Sequence, residues 1–410
     1  MTTWDAPFFS RTAINDDYYF KINRQYLLKN IVIFGSTGSI GVNALEVVSR
    51  FPDRFKVVGL SANNNYKLLA EQAEKFKVDS VNIGNKEHYS NLKSLLPATK
   101  TISAGQENFP ELLECGENID IVINAMVGSA GLLPTIKTLE KGITLALANK
   151  ESLVAGGEIV ISTAKQKGAS IIPIDSEHSA VFQCLNGESG KSVAKIILTA
   201  SGGPFVDTPL DEFSSITPDQ ALKHPNWNMG SRITIDSATM ANKGFEVIEA
   251  KWLFDIEPEN IEVTVHRQSI VHSMVRFIDG SYIAQMGMPD MRLPIQYALT
   301  YPERLESPYC NLDFTGKFHL DFRPVEGERF PCLGLAFRAL KEGGTAPAVL
   351  NAADETAVEA FLRHEIEFTG IAKSIEAALN KIENIQNPDI DSVLRADKEA
   401  RVFVETLLKG

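Results

Sequence analysis

The first half of the chain alternates short apolar runs with segments in which apolar residues recur every three or four positions. This alternation is typical of a parallel sheet whose strands are joined by helices. We predict strands at residues 31–34, 56–60, 80–83, 119–125, 143–147 and 170–174. Helical spacing falls between most of them, at residues 66–76, 131–141 and 152–167. The pattern predicts an N-terminal doubly wound, Rossmann-type NADP-binding domain over residues 31–174.

Beyond residue 174 the pattern becomes mixed and then helical. Strand-like runs at 195–198, 262–265 and 282–286 predict a central α/β catalytic domain over residues 175–300. Residues 301–326 carry three prolines and little periodicity, so we expect a linker there. Apolar residues at helical spacing in 350–364, 370–382 and 389–408 predict a C-terminal α-helical domain over residues 327–410, and residues 1–30 form an N-terminal extension.

Composition narrows the class of partner. The chain has 410 residues, 44% of them hydrophobic and 22% charged, with a net charge of -12. This acidity argues against a nucleic-acid or anionic-membrane surface, and no apolar stretch approaches the roughly 20 residues of a membrane span. The expected partner is a small molecule, met by local basic residues.

The cysteines and the N-terminus bear on the compartment. Cys115, Cys184, Cys310 and Cys332 are far apart and form no Cys-x-x-Cys pair, which argues against a zinc or redox motif and favours a reducing compartment. We expect a cytoplasmic location in a bacterium. Basic residues within the first 30 positions leave a plastid-type organelle open.

A glycine-rich turn follows the first predicted strand. Gly35-Ser-Thr-Gly38-Ser-Ile-Gly41 leads into an amphipathic helix over residues 42–50. A strand, a glycine turn and a helix N-terminus favour a dinucleotide pyrophosphate over a plain connection. The second strand ends in Asn63-Asn64-Asn65 without an acidic residue, which favours NADP, although these asparagines also suit a turn.

Polar residues also follow the fifth predicted strand, at Ala148-Asn149-Lys150-Glu151-Ser152. The carboxyl edge of such a sheet is where ligands bind. Glu151 and Ser152 would equally well begin a helix. Lys150 precedes that helix and is the better candidate for a substrate contact.

Two carboxylates, Asp175 and Glu177, end the sixth predicted strand. In extended chain they share one face while Ser176 turns away, and a hard divalent cation would balance their charge. Asp175 would alternatively cap a helix over 177–185. His178 is a further candidate ligand, but one histidine among carboxylates does not displace the hard-ion interpretation.

A third carboxylate lies in the segment from Asp236 to Trp252. On a helix, Asn242, Lys243 and Glu246 share one face and point an amide, an ammonium and a carboxylate into one site. A surface pair of Lys243 with Glu246 is the simpler alternative. Glu249 is a rival ligand, whose ordinary role would be pairing with Lys251 or contact with solvent.

Two loops between these segments also carry candidate groups. Ser201-Gly-Gly-Pro204 offers a hydroxyl and exposed backbone N–H groups to an oxyanion, or forms an ordinary turn. Residues 224–230 place Trp227 and Met229 in a loop rich in proline, asparagine and glycine, as in a mobile lid over a substrate. Anchoring of the loop on the protein's own surface is the alternative.

Taken together, these motifs closely resemble the 1-deoxy-D-xylulose 5-phosphate reductoisomerase family, from about Ile31 to the C-terminal helices. The resemblance implies NADPH-dependent conversion of 1-deoxy-D-xylulose 5-phosphate to 2-C-methyl-D-erythritol 4-phosphate in isoprenoid precursor synthesis. It implies Mg²⁺ or Mn²⁺, with Co²⁺ as a further option, and a homodimer. Asn63-Asn64-Asn65 lacks a basic residue that some members carry at the 2'-phosphate position.

The resemblance also assigns roles by matching motifs. The implied metal ligands are Asp175, Glu177 and Glu246. The implied catalytic residues are Lys150, Glu177 and His224. The implied substrate-binding residues are Lys150, Ser176, Glu177, Ser201, His224, Trp227, Met229, Ser237, Asn242, Lys243 and Glu246. The implied cofactor-binding residues are Gly35, Thr37, Gly38, Ser39, Ile40, Asn63, Asn64, Asn65, Asn149, Glu151 and Gly230.

Two other functions fit parts of the sequence. A semialdehyde or homoserine-type dehydrogenase begins with a similar glycine turn, but the first of these needs a nucleophilic cysteine, and none of the four cysteines has an activating neighbour. A non-catalytic NADP sensor would need neither the three carboxylates nor the loop over the substrate.

Overall fold

The computed structural model describes residues 28–114, 118–223, 227, 230–309 and 312–409. The chain forms two compact units. Within the described residues, the first comprises those up to Ala148 together with Ser162–Ile174 and Ile295–Leu305. The second comprises Asn149–Ile161, Asp175–Pro294 and the residues from Glu306 onward.

The first unit contains a seven-stranded sheet in which every neighbouring pair is parallel. Its strands are β1 (Lys29–Phe34), β2 (Phe55–Ala62), β3 (Ser80–Ile83), β4 (Thr101–Ala104), β5 (Ile121–Asn124), β6 (Thr144–Leu147) and β7 (Ile171–Pro173). The connecting helices are α1 (Ser39–Ser49), α2 (Tyr66–Phe76), α3 (Tyr89–Leu95) and α4 (Leu132–Glu140). The predicted doubly wound sheet is confirmed.

The strand order is β4-β3-β2-β1-β5-β6-β7, which reverses direction between β1 and β5. Ligands of doubly wound folds bind at such a switch point, outside the carboxyl ends of the strands. The centre of the sheet is apolar, and Ile31, Ile33 and Ile123 are fully buried. The fold therefore gives the glycine turn after β1 the position of a nucleotide site.

A later segment of the chain completes the first unit. Helix α10 (Arg292–Thr300) contributes Ile295 and Leu299, both without exposed surface. Arg54 and Glu303 form an ion pair at 2.9 Å within this unit. The first residues of the predicted linker, 301–326, therefore belong to the packed structure of the first unit.

The second unit is built on a mixed five-stranded sheet of order β11-β10-β8-β9-β12. Its strands are β8 (Val193–Ala200), β9 (Ile261–Val265), β10 (Val271–Phe277), β11 (Tyr282–Met286) and β12 (Arg323–Pro324). The helices that precede the C-terminal group are α5 (Lys150–Lys167), α6 (Ser176–Cys184), α7 (Pro218–Ala221), α8 (Ser231–Thr239) and α9 (Ala241–Phe254). Residues of α5 after Ile161 belong to the first unit.

The C-terminal part is helical, as predicted. It consists of α11 (Pro331–Glu342), α12 (Ala346–Leu362), α13 (Phe368–Lys381) and α14 (Ile390–Leu407). Helix α12 is central, because fifteen of its residues are buried. Short 3₁₀ helices occur elsewhere at Lys86–His88, Gln106–Glu114, Ser129–Gly131, Gly190–Ser192, Leu210–Ser215 and Pro258–Asn260.

Among the residues described, no helix has both the length and the apolar character needed to cross a membrane.

Candidate functional site

Three carboxylates of the second unit converge on one point. Asp175, Glu177 and Glu246 each offer an oxygen, and these oxygens all lie within 4.8 Å of one another. Glu246 is buried, whereas Asp175 and Glu177 are partly exposed. The cluster therefore offers closely spaced oxygen ligands to a cation and is open enough to admit one.

The local backbone around Asp175 combines the two interpretations left open by the sequence. Asp175 is the N-cap of α6, and its side chain accepts a hydrogen bond of 3.3 Å from the backbone N–H of Glu177. The prediction of an extended chain through Glu177 is wrong, because the helix begins at Ser176. Ser176 donates from Oγ to the Glu177 carboxylate at 2.5 Å, so its hydroxyl faces the cluster.

Helix α9 supplies the third carboxylate in the predicted register. Asn242 donates from Nδ2 to Glu246 Oε1 at 2.7 Å. Lys243 donates to Glu177 at 2.8 Å and also forms an ion pair with Glu246. The alternative of a surface pair between Lys243 and Glu246 is wrong, since only 4% and 1% of these side chains are exposed.

Lys150 joins the same cluster. Its Nζ lies 2.9 Å from Asp175 Oδ2, 2.5 Å from Asn242 Oδ1 and 3.6 Å from Glu246 Oε1. Lys150 was expected to precede α5, but it is the first residue of that helix. Its burial among carboxylates explains why an ammonium group is tolerated there.

Electrostatics in the cluster follow from burial and crowding. Burial and the negative charges of Glu177 and Asp175 raise the pKa of Glu246 to about 8, and the Lys243 ammonium group opposes this rise. Burial opposes ionisation of Asp175, but the Lys150 and His178 side chains hold its pKa well below the usual value. Burial also opposes the charge of Lys150, yet Asp175 and Glu246 raise its pKa. A divalent cation would compete with a proton for Glu246.

Glu249 does not have the role expected for it. Only 3% of Glu249 is exposed, and Lys251 instead lies near Asp255 and Glu257, at 4.0 and 3.5 Å. Glu249 Oε2 lies 3.6 Å from His178 Nδ1 in the interior. The expected pairing with Lys251 or solvent is therefore wrong.

Arg232 on α8 is a functional neighbour that the sequence analysis missed. Its guanidinium lies 2.9 Å from Glu151 and also pairs with Glu355 of α12. Asn149 donates to Glu151 at 2.8 Å, and both side chains are buried. The segment next to Lys150 is thus tied to a helix about 200 positions later, a contact that local sequence patterns do not reveal.

The loop after β8 packs against α8. A Cβ on Gly203, where φ is +63°, would meet the backbone oxygen of Ser237 at 2.8 Å. The backbone N–H of Gly203 donates to Ser201 Oγ at 3.2 Å. Ser201 and Ser237, far apart in sequence, are therefore carried by segments in direct contact.

Two residues of the predicted lid loop, Trp227 and Gly230, are described. Trp227 is half-buried, and its ring centroid lies 6.4 Å from that of His272. Gly230 is exposed and precedes α8 as its N-cap. His224 and Met229 lie outside the described residues.

The glycine turn in the first unit has the backbone that its sequence predicts. Gly35 has φ +80°, and a Cβ there would lie 2.6 Å from the backbone oxygen of Ala125. Gly38 and Ser39 are exposed where α1 begins, while Thr37 and Ile40 are half-buried. The turn therefore offers backbone at a helix N-terminus to an anion.

The three asparagines after β2 are exposed. Asn65 caps α2 by accepting a hydrogen bond from the backbone N–H of Leu68 at 3.2 Å. Asn63 and Asn64 accept hydrogen bonds from Gln106 at 3.4 Å and Asn85 at 3.1 Å. The turn interpretation thus holds for Asn65, and the others remain accessible to a ligand.

Comparison with protein families gives three matches along the chain. Residues 31–157 match the model described as 1-deoxy-D-xylulose 5-phosphate reductoisomerase. Residues 171–254 match its C-terminal domain, and residues 286–403 match the DXP reductoisomerase C-terminal domain.

Whole-chain relatives agree with these matches. The 1-deoxy-D-xylulose 5-phosphate reductoisomerase of Pelotomaculum thermopropionicum is 52% identical over 91% of this chain and 97% of its own. The solved structure of the Zymomonas mobilis enzyme in complex with NADPH is 42% identical, with a TM-score of 0.87, covering 93% of this chain and 100% of that one. A DOX-P reductoisomerase solved with NADPH, fosmidomycin and magnesium is 37% identical, with a TM-score of 0.89, covering 93% of this chain and 98% of that one.

Proposed function

The chain belongs to the 1-deoxy-D-xylulose 5-phosphate reductoisomerase family, and on that premise we propose which of its residues carry the reaction. The protein is an NADP-dependent oxidoreductase that rearranges and reduces 1-deoxy-D-xylulose 5-phosphate to 2-C-methyl-D-erythritol 4-phosphate. The observation that carries the residue assignment is the convergence of Asp175, Glu177 and Glu246 within 4.8 Å.

These three carboxylates would hold Mg²⁺ or Mn²⁺. Oxygen ligands at this spacing fit a hard divalent ion, and partial exposure of Asp175 and Glu177 leaves positions for a substrate. The bound ion would supply Lewis-acid stabilisation of negative charge on substrate oxygens. Glu177 has a further role as a catalytic group, because Ser176 and Lys243 both donate to it and fix its orientation.

Lys150, Ser176 and Asn242 are placed to contact the sugar hydroxyls. Lys150 donates to Asn242 Oδ1 at 2.5 Å, so the ammonium and the amide lie side by side and could contact neighbouring hydroxyls of one sugar. The raised pKa of Lys150, caused by Asp175 and Glu246 against the effect of burial, keeps that ammonium charged. It would then hold a proton close to a developing oxyanion.

The substrate phosphate is assigned to Ser201, Ser237, Asn242 and Lys243, with His224 nearby. Contact between the Ser201 loop and α8 supports this set, because it brings two hydroxyl-bearing segments together. Phosphate binding away from the reacting carbons would orient the substrate. Trp227 and Met229 are assigned to a flap that excludes water.

NADPH is assigned to the first unit and to residues flanking the site. Backbone at Gly35 and Gly38 and the side chains of Thr37 and Ser39 would face the pyrophosphate, with Ile40 beside them. Asn63, Asn64 and Asn65 are assigned to the 2'-phosphate. Asn149, Glu151 and Gly230 complete the cofactor set.

The five-part division of the chain into an extension, three domains and a linker is also part of the proposal.

We also propose that the protein forms a homodimer. Edge strand β11 supports it, since Ile278, Tyr282 and Ile283 on and before that strand are 73%, 57% and 39% exposed. An exposed apolar edge is suited to pairing with a second copy. A cytoplasmic location is proposed for a bacterial source.

The decisive experiment follows NADPH absorbance with 1-deoxy-D-xylulose 5-phosphate, with and without Mn²⁺. Oxidation of NADPH that requires both the substrate and the ion is expected. If NADPH were oxidised neither with nor without Mn²⁺, the assignment would be refuted.

A further inference from the structure

A second group of metal-ligating side chains lies directly behind the proposed metal ligands. Asp175, His178 and Glu249 each offer one ligand atom, and these atoms all lie within 4.8 Å of one another. His178 has no exposed surface and Glu249 only 3%. The group shares Asp175 with the proposed catalytic triad but is otherwise separate from it.

Two of these ligand atoms have no hydrogen-bond partner among the described residues. His178 Nδ1 and Glu249 Oε2 are buried without a hydrogen bond, and they lie 3.6 Å apart. Buried polar atoms are ordinarily paired, so a pair that face each other without a shared hydrogen bond requires an explanation. The separation is too long for a direct hydrogen bond and suits two ligands of one ion.

The imidazole is also held in the orientation that a ligand needs. His178 Nε2 lies 2.9 Å from the backbone oxygen of Glu246, which only accepts hydrogen bonds. Nε2 therefore carries the hydrogen, and in the neutral ring Nδ1 presents its lone pair to Glu249 and Asp175. Metal-binding histidines are commonly oriented by such a hydrogen bond to a carbonyl.

The ligand types favour a different ion from that of the catalytic triad. One imidazole and two carboxylates suit Zn²⁺ and other borderline ions, whereas Mg²⁺ prefers oxygen ligands only. The near-complete burial of His178 and Glu249 leaves no opening for a substrate. An ion bound there would be closed off and could not act as the catalytic ion does.

The two groups of ligands share Asp175 and face the same two ammonium groups. Four carboxylates, Asp175, Glu177, Glu246 and Glu249, face the two ammonium groups of Lys150 and Lys243. Because Asp175 belongs to both groups, occupation of one position withdraws a ligand from the other.

We propose that Asp175, His178 and Glu249 form a second, inhibitory site for Zn²⁺. This site and the catalytic Mg²⁺ or Mn²⁺ site cannot be occupied at the same time. Zn²⁺ at this site withholds Asp175 from the catalytic ion. The mutual exclusion, though not the Zn²⁺ site itself, rests on the metal ligands assigned under the proposed function.

The test uses the full chain stripped of metal and titrated with Zn²⁺ against a chromophoric chelator. Glu249→Gln and His178→Gln should each weaken Zn²⁺ binding by at least about tenfold, as loss of one ligand requires. Mg²⁺ binding, measured by displacement of Mn²⁺ in electron paramagnetic resonance, should change much less. Glu359→Gln, the same substitution at an exposed site on α12, is the matched control and should change neither affinity.

X-ray absorption at the zinc edge tests the wild-type chain without any variant. The expected spectrum contains one imidazole nitrogen among oxygen ligands. A spectrum with oxygen ligands only would overturn the site, even if both variants failed to fold. Unchanged Zn²⁺ affinity in both variants, or an equal loss of Zn²⁺ and Mg²⁺ affinity, would overturn it as well.

Inhibition kinetics test the exclusion separately. Zn²⁺ should inhibit NADPH oxidation competitively with Mg²⁺, and excess Mg²⁺ should restore the rate. Zn²⁺ binding with an imidazole ligand but noncompetitive inhibition would overturn the exclusion and leave the site standing. Absence of all Mg²⁺-dependent turnover would instead count against the proposed function, since the binding measurements do not depend on activity.

Discussion

The Nζ of Lys243 on α9 donates to Oε1 of Glu177 on α6 at 2.8 Å. The same ammonium group pairs with Glu246 one turn away on its own helix. It thereby joins two of the proposed metal ligands across two helices. Because these carboxylates interact, loss of charge at one of them changes the pKa of the others.

Glu246→Gln should abolish metal-dependent turnover. The amide keeps the shape of the side chain but removes one of three anionic ligands, so the rate of NADPH oxidation with Mn²⁺ should fall at least about 100-fold. NADPH affinity, measured by fluorescence, should persist, because the glycine turn belongs to the other compact unit. Glu359→Gln at an exposed position should leave both unchanged. Near-normal Mn²⁺-dependent turnover in Glu246→Gln would contradict the ligand assignment.

Arg232→Met should destabilise the second unit. It leaves Glu151 and Glu355 buried without their shared guanidinium, and breaking a buried pair costs about 3–5 kcal/mol. Arg363→Met removes only exposed ion pairs with Glu359 and Glu365 and should cost at most about 1 kcal/mol. Urea denaturation followed by circular dichroism measures both. Equal effects of the two substitutions would refute the buried network.

Asp354→Asn should stabilise the protein increasingly as pH rises. Burial, reinforced by the charge of Asp236, raises the pKa of Asp354 well above its usual range. The folded state therefore retains a proton that the unfolded state releases, and wild-type stability falls as pH rises above about 4. The amide cannot ionise, and its N–H group can donate to Asp236 as the protonated carboxyl does.

The measurement for Asp354→Asn is the thermal unfolding midpoint at pH 4 and pH 8. The variant should match the wild type at pH 4 and exceed it at pH 8, because each pH unit over which only the folded wild type retains the proton costs the wild type about 1.4 kcal/mol. Asp53→Asn at an exposed turn should show no such dependence on pH. A stabilisation that was the same at both pH values would remove the argument from ionisation.

Gly41→Ala should weaken NADPH binding. A Cβ on Gly41 would lie 2.3 Å from the backbone oxygen of Gly35 and 2.5 Å from Ser36 Cα, so the turn before α1 must open. We expect the Kd for NADPH to rise at least about tenfold, or about 1.4 kcal/mol. Gly190→Ala, where no atom lies within 4 Å of the added Cβ, is the control. Unaltered NADPH affinity in Gly41→Ala would place the cofactor elsewhere.

Ile283→Arg should separate the proposed homodimer. A charge on edge strand β11 opposes pairing with a second copy, so sedimentation should change from dimer to monomer at micromolar concentration. Val402→Arg places the same charge at a 53% exposed position on α14 and should leave the dimer intact. A dimer that survived Ile283→Arg would move the interface away from β11.

The strongly periodic elements of the fold were predictable from the sequence. Helix α2 has the predicted bounds Tyr66–Phe76, and strand β11 has the predicted bounds Tyr282–Met286. Strand β4 was missed because it is short and has no fully buried residue to reveal it. The C-terminal helices were predicted only from residue 350 onward. Helix α11 ends at Glu342 and was therefore missed.

The site was predictable where its residues lie within one turn of a helix. Asn242, Lys243 and Glu246 illustrate this, since helical spacing alone places them on one face. The contacts of Arg232 with Glu355, and of His178 with Glu249, join residues 123 and 71 positions apart. Periodicity carries no information about such pairs, because they depend on how helices pack.

The pairing of Arg54 with Glu303 has a consequence for synthesis of the chain. The two residues are 249 positions apart, and ribosomes add roughly 5–20 residues per second, so the partner arrives about 10–50 s later. Until then the emerging nucleotide-binding sheet lacks α10, with the apolar side chains of Ile295 and Leu299 still to be supplied. The N-terminal part of the nascent protein must therefore wait, unfinished and open to chaperones, while most of the remaining polypeptide is made.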